Sequence, residues 1–167
     1  MTEKLIMKDM SIPDGTLHDS KLYNVSFENN ELTLSFETHY YPEDYTTTEF
    51  VEKYKDFTKC HIKCKLDEDN VKYNFDNVIF ETSPKNDKNV YKGLIVSVPE
   101  FVELANKEIQ KRKDKGYNSW EYLNTAISPN IRSVSIELST YGWKHKRNIF
   151  HTCSLKLFTE EVKFIWE

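Results

Sequence analysis

Between Lys21 and Thr38 apolar and polar residues alternate twice: Tyr23, Val25 and Phe27 in a first run, Leu32, Leu34 and Phe36 in a second, with Glu28-Asn29-Asn30-Glu31 between them. Period-two alternation sets one row of side chains on a buried sheet face, so this stretch predicts a β-hairpin. Asn29 and Asn30 tolerate positive φ better than most residues and suit the two central positions of a tight turn. Alternation returns at Cys60, Ile62, Cys64 and Leu66, and a short apolar run follows at Val78-Ile79-Phe80; both predict strands. Near the C-terminus Val134, Ile136 and Leu138 alternate with serines and Glu137. Ile149, His151, Cys153, Leu155 and Leu157 make a matching run, and Val162, Phe164 and Trp166 a third, which together predict a terminal antiparallel meander.

The period lengthens only in the middle of the chain. Ser97 and Glu100 have capping-box spacing, Pro99 sits where a missing N–H is harmless, and Phe101, Val102, Ala105 and Ile109 line one face. Lys111, Arg112, Lys113 and Lys115 then precede Gly116, as expected at a helix C-terminus, so the main helix runs over about 98–115. A second, shorter helix is expected from Ser119 to about Ala126, with Trp120, Leu123 and Ile127 inward and Pro129 ending it. Residues 39–57 carry mixed signals: Phe50, Val51, Tyr54 and Phe57 have helical spacing, whereas Thr46-Thr47-Thr48 favours strand. Strands, then one or two helices, then strands again predict an α+β fold, a largely antiparallel sheet with the helix packed on one face.

The 167 residues, 38% hydrophobic and 14% aromatic, suffice for one sizeable core, and no Gly/Ser-rich or Pro-rich linker divides them. A single domain over residues 1–167 is the expectation. No apolar run approaches the roughly 20 residues of a membrane span, and Leu5-Ile6-Met7 is too short for a secretory signal. Three cysteines without paired spacing suit a reducing compartment, so a cytoplasmic protein with free thiols is expected. The net charge of -4 is unevenly spread: residues 1–52 hold eleven acidic residues against three basic ones, the remainder sixteen against twenty. An acidic N-terminal third suits a partner with a basic surface.

Asp14-Gly15-Thr16-Leu17-His18-Asp19-Ser20-Lys21 packs a possible acid-base pair, His18 and Asp19, between a turn and the first hairpin. No nucleophile elbow, phosphate-cradling loop or metal motif accompanies it, and Asp19 or Ser20 can equally bond nearby backbone N–H groups. The segment Leu17-His18-Asp19-Ser20 with the hairpin ending Leu32-Thr33-Leu34-Ser35-Phe36 resembles the opening of small bacterial families grouped with the immunity proteins of polymorphic toxin systems; the likeness covers residues 14–37. It implies a non-enzymatic cytoplasmic protein that binds and neutralises a toxin domain, with the His-Asp segment fixing the hairpin.

Cys60, His61, Cys64, His151 and Cys153 look ligand-rich. On one strand, however, Cys60 and Cys64 lie about 13 Å apart, whereas ligands of one zinc ion come within about 4 Å of each other. No metal and no cofactor are expected, and buried strand thiols explain the cysteines. Basic clusters at Lys107 to Lys115 and at Lys144-His145-Lys146-Arg147 admit nucleic acid, against which the pI of about 5.8 weighs. His39-Tyr40-Tyr41-Pro42-Glu43-Asp44-Tyr45 offers large aromatic contact area beside two acids, so Tyr40, Tyr41, Glu43, Asp44 and Tyr45 are the candidate partner-binding residues. The expected function is protein binding, as an immunity-type inhibitor of a toxin. The alternatives are an enzyme of unknown reaction using His18 and Asp19, and nucleic-acid binding through the basic loops.

Overall fold

The computed structural model describes residues 1–6, 17–38, 53–82, 92–140 and 150–167. Among the described residues nine antiparallel strands form one sheet: β1 (Thr2–Ile6), β2 (Lys21–Glu28), β3 (Glu31–Glu37), β4 (Lys59–Leu66), β5 (Asn77–Thr82), β6 (Lys92–Val96), β7 (Glu121–Ser128), β8 (Ser133–Ser139) and β9 (Phe150–Trp166). A short helix, α1 (Glu68–Lys72), joins β4 to β5, and the main helix, α2 (Val98–Asp114), joins β6 to β7. The fold is α+β and mostly sheet.

The pairings do more than stack strands side by side. β4, β3, β2, β7, β8 and β9 pair in that order, and β9 pairs again with β4, so the six strands close a ring. The inner face of that ring is the core. Leu32, Leu34 and Phe36 stand opposite Cys64, Ile62 and Cys60 between β3 and β4, while Val134, Ile136 and Leu138 stand opposite Leu157, Leu155 and Cys153 between β8 and β9. All twelve are buried in one apolar cluster. β5 and β6 extend the sheet from the N-terminal half of β9, and β1 pairs with its C-terminal half.

Asn29 and Asn30 both have positive φ, 52° and 58°, which is the type I′ geometry that two consecutive asparagines permit. Ser97 caps α2 in a complete capping box with Glu100, and Gly116 follows its end at φ 69°. The buried stripe of α2 is Val98, Phe101, Ala105, Glu108 and Arg112. Its lower turns therefore bury an ion pair, with Arg112 Nε 3.5 Å from Glu108, and Arg112 also lies over the Trp120 ring at 5.4 Å.

Three expectations are corrected. A bulge between Leu22 and Asn24 takes Tyr23 out of the inward row of β2, which buries Leu22 and Val25 and leaves Tyr23 half-buried. The segment from Ser119 to Ala126 is not a helix: from Glu121 onward it is strand β7. The helical spacing of Trp120, Leu123 and Ile127 is not the inward set: a bulge between Tyr122 and Asn124 inserts Leu123, which is only half-buried, and the strand buries Tyr122, Thr125 and Ile127. The expected terminal meander is one strand shorter. Residues 150–166 form a single strand whose inward set passes from Cys153, Leu155 and Leu157 to Val162, Phe164 and Trp166 at a bulge. Leu66 pairs with Thr159 and Lys65 with Glu161, leaving Glu160 as the extra residue.

The ring is thinnest between β2 and β7. One residue pair, Lys21 with Glu121, is flanked by Leu22 N–H donating to Trp120 O at 2.8 Å and Tyr122 N–H donating to Ser20 O at 2.9 Å. Past this seam α2 packs on β2 and supplies what a strand would. The Asn106 side chain accepts from Val25 N at 3.0 Å and donates to Val25 O at 2.7 Å, as a peptide group in a neighbouring strand does.

Candidate functional site: an acidic cleft at the bend of β9

The bulge at Glu160 bends β9 where β4 ends, and the chain leaves the sheet there to form α1. Asp67 caps α1, accepting from Asp69 N at 3.0 Å and Asn70 N at 3.4 Å, and Glu68 and Asp69 occupy its first turn, where carboxylates complement the helix dipole. Thr159 supports the bend from inside: its hydroxyl donates to Lys65 O and accepts from Glu161 N at 3.2 Å. Local rules of capping and bulge formation thus gather acids at one place.

The result is an open cleft of about 850 Å³ lined by Glu31, Asp67, Glu68, Asp69, Glu160 and Glu161, with Lys65, Lys163 and Leu66. Six carboxylates face two lysines, and both lysines are engaged. Lys65 donates to Asn29 O, and Lys163 lies 2.9 Å from Glu161, whose hydrogen bond and charge hold the Lys163 ammonium above its usual range. Glu160 pairs with Arg132, and Glu31 with Lys63 at 3.2 Å.

The negative potential reaches below the surface. Asp76, buried at the start of β5, accepts from Phe158 N at 2.6 Å through Oδ1, while Oδ2 has no hydrogen-bond partner among the described residues. Burial raises its pKa, the Phe158 hydrogen bond opposes this, and the charge of Asp67 adds to the rise. Burial together with the charges of Glu31 and Asp76 pushes the Cys64 thiol up to about 12. Cys153 is raised well above the usual thiol range by burial and by Glu137. Neither thiol is a nucleophile at neutral pH. Among the described residues no group of His, Cys, Asp and Glu is arranged to hold a metal ion.

His18 and Asp19 lie elsewhere. Ser20 N–H donates to Leu17 O at 2.9 Å, closing a turn in which Asp19 has φ 63°, and His18 Nδ1 is 3.1 Å from Asp19 Oδ2. Leu17 and Ser20 are buried, the His18 side chain is 60% exposed, and Ser20 O receives the Tyr122 N–H of the seam. The turn sits where β2 begins, and the cleft sits beyond the hairpin at the far end, about 25 Å along the strand. The candidate recognition residues Tyr40, Tyr41, Glu43, Asp44 and Tyr45 lie outside the described residues, as does the basic stretch 144–147.

A polar cluster that sequence reading misses lies on the outer face. Ser35 Oγ is 2.7 Å from His61 Nδ1, His61 Nε2 is 3.4 Å from Glu167, and the Tyr23 ring stands edge-on to His61 at 6.5 Å. Hydroxyl, imidazole and carboxylate follow in the order of an acyl-transfer relay. Ser35 is only 4% exposed, however, and β3 lies between β2 and β4, whose ladders take up its backbone N–H groups, so no amide pair remains beside it to hold an oxyanion. The cluster is a cross-strand clasp. Its only sequence signal is the shared alternation of β3 and β4, which becomes a contact once Ser35 pairs with His61.

No helix of the described residues is long and apolar enough to cross a membrane. No family model, no curated protein and no solved structure matches the chain.

Proposed function

We propose that this protein is a non-enzymatic binding domain, an immunity-type inhibitor that covers the basic surface of a toxin with its acidic cleft. One observation supports the reading above the others: six carboxylates line a single cleft, and the two lysines among them are held by neighbouring groups. A cleft with this balance favours Lys and Arg side chains and speeds encounter with a cationic partner. The skew of acids toward residues 1–52 supports the same partner chemistry, and Tyr40 to Tyr45 are proposed as a second contact region that adds apolar area.

The test uses the product of the adjacent reading frame as probe, with binding followed by calorimetry over a salt series. The expected result is a complex that weakens steeply with salt and is lost in a Glu68→Lys, Asp69→Lys variant. Tyr41→Ala with Tyr45→Ala should weaken it with an unchanged salt slope. Binding that ignores both salt and the charge reversal would sink the cleft reading. Loss confined to the tyrosine variant would move the interface to residues 40–45.

A further inference from the structure

The sheet ends at β6, which pairs with β5 alone among the described residues. The pairing runs without a register shift from Val78 opposite Val96 to Thr82 opposite Lys92, so no bulge twists this edge away. Natural edge strands are blunted by charge, proline, bulges or a covering element. β6 reads Lys-Gly-Leu-Ile-Val and carries one charge, at its first position. Leu94 is 40% exposed and Ile95 67% exposed, so apolar side chains reach solvent on both faces of the strand.

We propose that β6 is a self-complementary edge through which two copies of this chain pair antiparallel about Leu94. In that register Leu94 faces its own copy, Gly93 faces the second copy's Ile95, and Lys92 faces the second copy's Val96. Gly93 leaves a gap on the face that Ile95 shares: a Cβ built there meets nothing nearer than Ile79 Cγ2 at 3.7 Å. Ile79 is the residue paired with Ile95 inside one chain. The second copy's Ile95 therefore seats over Gly93 onto Ile79, and the symmetry repeats the contact, giving four isoleucines in one outer-face cluster. The two Lys92 positions fall at opposite ends of the paired strands, so like charges do not meet. A foreign strand would need a matching gap and knob two residues apart; this chain carries both. Five residues from each copy bury less than the roughly 1,200 Å² of a stable interface, so the dimer is reversible, with a Kd of about 10 μM or weaker.

Sedimentation velocity over a concentration series tests the pairing. Wild type should shift from monomer to dimer, Ile95→Lys should remain monomeric, and Gly93→Val, which fills the gap, should weaken the dimer by about tenfold. Ile131→Lys, at an equally isolated isoleucine that is 53% exposed in the turn before β8, should dimerise as wild type does. Leu94→Cys should cross-link to itself under mild oxidant faster than Ile95→Cys, because antiparallel partners lie about 4.5–5.5 Å apart at Cα, within disulfide reach. A wild-type monomer up to about 1 mM, a dimer that survives Ile95→Lys, or equal cross-linking at 94 and 95 would each overturn the proposal.

Discussion

Asp76 shows how a single residue sets pH behaviour. The folded protein holds the Asp76 proton at a pH where the unfolded chain has already released it, because burial raises its pKa above the ordinary 3.8. Stability therefore falls as pH rises from that ordinary value through the raised one, and the charged form is carried at a cost at neutral pH. In Asp76→Asn the amide oxygen still accepts from Phe158 N, and no charge is buried. The variant should be at least as stable as wild type at pH 7 in urea unfolding, with the difference closing below pH 3.8; a clear loss at pH 7 would show that the charge is needed. Asn106 makes the opposite case. Its two hydrogen bonds to Val25 stand in for a strand, so Asn106→Ala leaves a backbone donor and acceptor unmet and should cost about 2 kcal/mol. Asn106→Gln should not rescue it, since the amide would be displaced by a methylene. Neither role is legible in the sequence, because the partners are 81 and 82 residues away. Asn29, Asn30 and Ser97 are legible, because their task is completed within a few residues.

The same distinction governs whole elements. The main helix declares itself by a cap, a stripe and a terminal glycine, all local, and Ser97→Ala should cost about 1 kcal/mol of unfolding free energy by loss of that cap. β7 misleads because a bulge is invisible to a period count: it breaks the alternation of Tyr122, Thr125 and Ile127 at Leu123, and what remains visible is the helical spacing of Trp120, Leu123 and Ile127. β9 misleads differently. Its inward residues change parity between Leu157 and Val162, which reads as a turn between two strands but is a bulge within one. Deleting Glu160 tests this directly. Without that residue Leu157, Thr159, Val162, Phe164 and Trp166 fall into strict alternation on one face, and the Leu66–Thr159 and Lys65–Glu161 pairs become consecutive, so the inward set is kept. The deletion should retain cooperative unfolding and near-ultraviolet dichroism, whereas deleting Lys163 from the regular part of the strand turns Phe164 and Trp166 outward and should lose both. A Glu160 deletion that fails to fold, or a Lys163 deletion that folds as wild type does, would show that the parity change at residues 159–161 is not what sets the inward face.

At the scale of the whole molecule the fold class follows from alternation, but neither the strand count nor closure does. Closing the ring needs β9 to serve two neighbours on different halves and needs β2 to meet β7 across about a hundred residues of chain, and pairing at that separation leaves no periodic mark. Closure has a measurable consequence, because all three cysteines face its interior. Cys60 and Cys64 stand on β4 and Cys153 on the first half of β9, and each is 0% exposed. If the ring opens only as a unit, their thiols become accessible together. The folded protein should then resist a thiol reagent such as DTNB at neutral pH, since all three thiols are enclosed and burial keeps those of Cys64 and Cys153 protonated. All three should label at one common rate that tracks global unfolding in denaturant. The β2–β7 seam is the weakest link by its hydrogen bonds, with α2 bridging what the strands leave open. A variant that loosens this bridge, Asn106→Ala, should therefore speed the labelling of all three cysteines by the same factor if opening at the seam unravels the whole ring. Should Cys153 label ahead of Cys60 and Cys64 in that variant, β9 can part from the ring while β3 and β4 stay paired, and closure is not the cooperative unit.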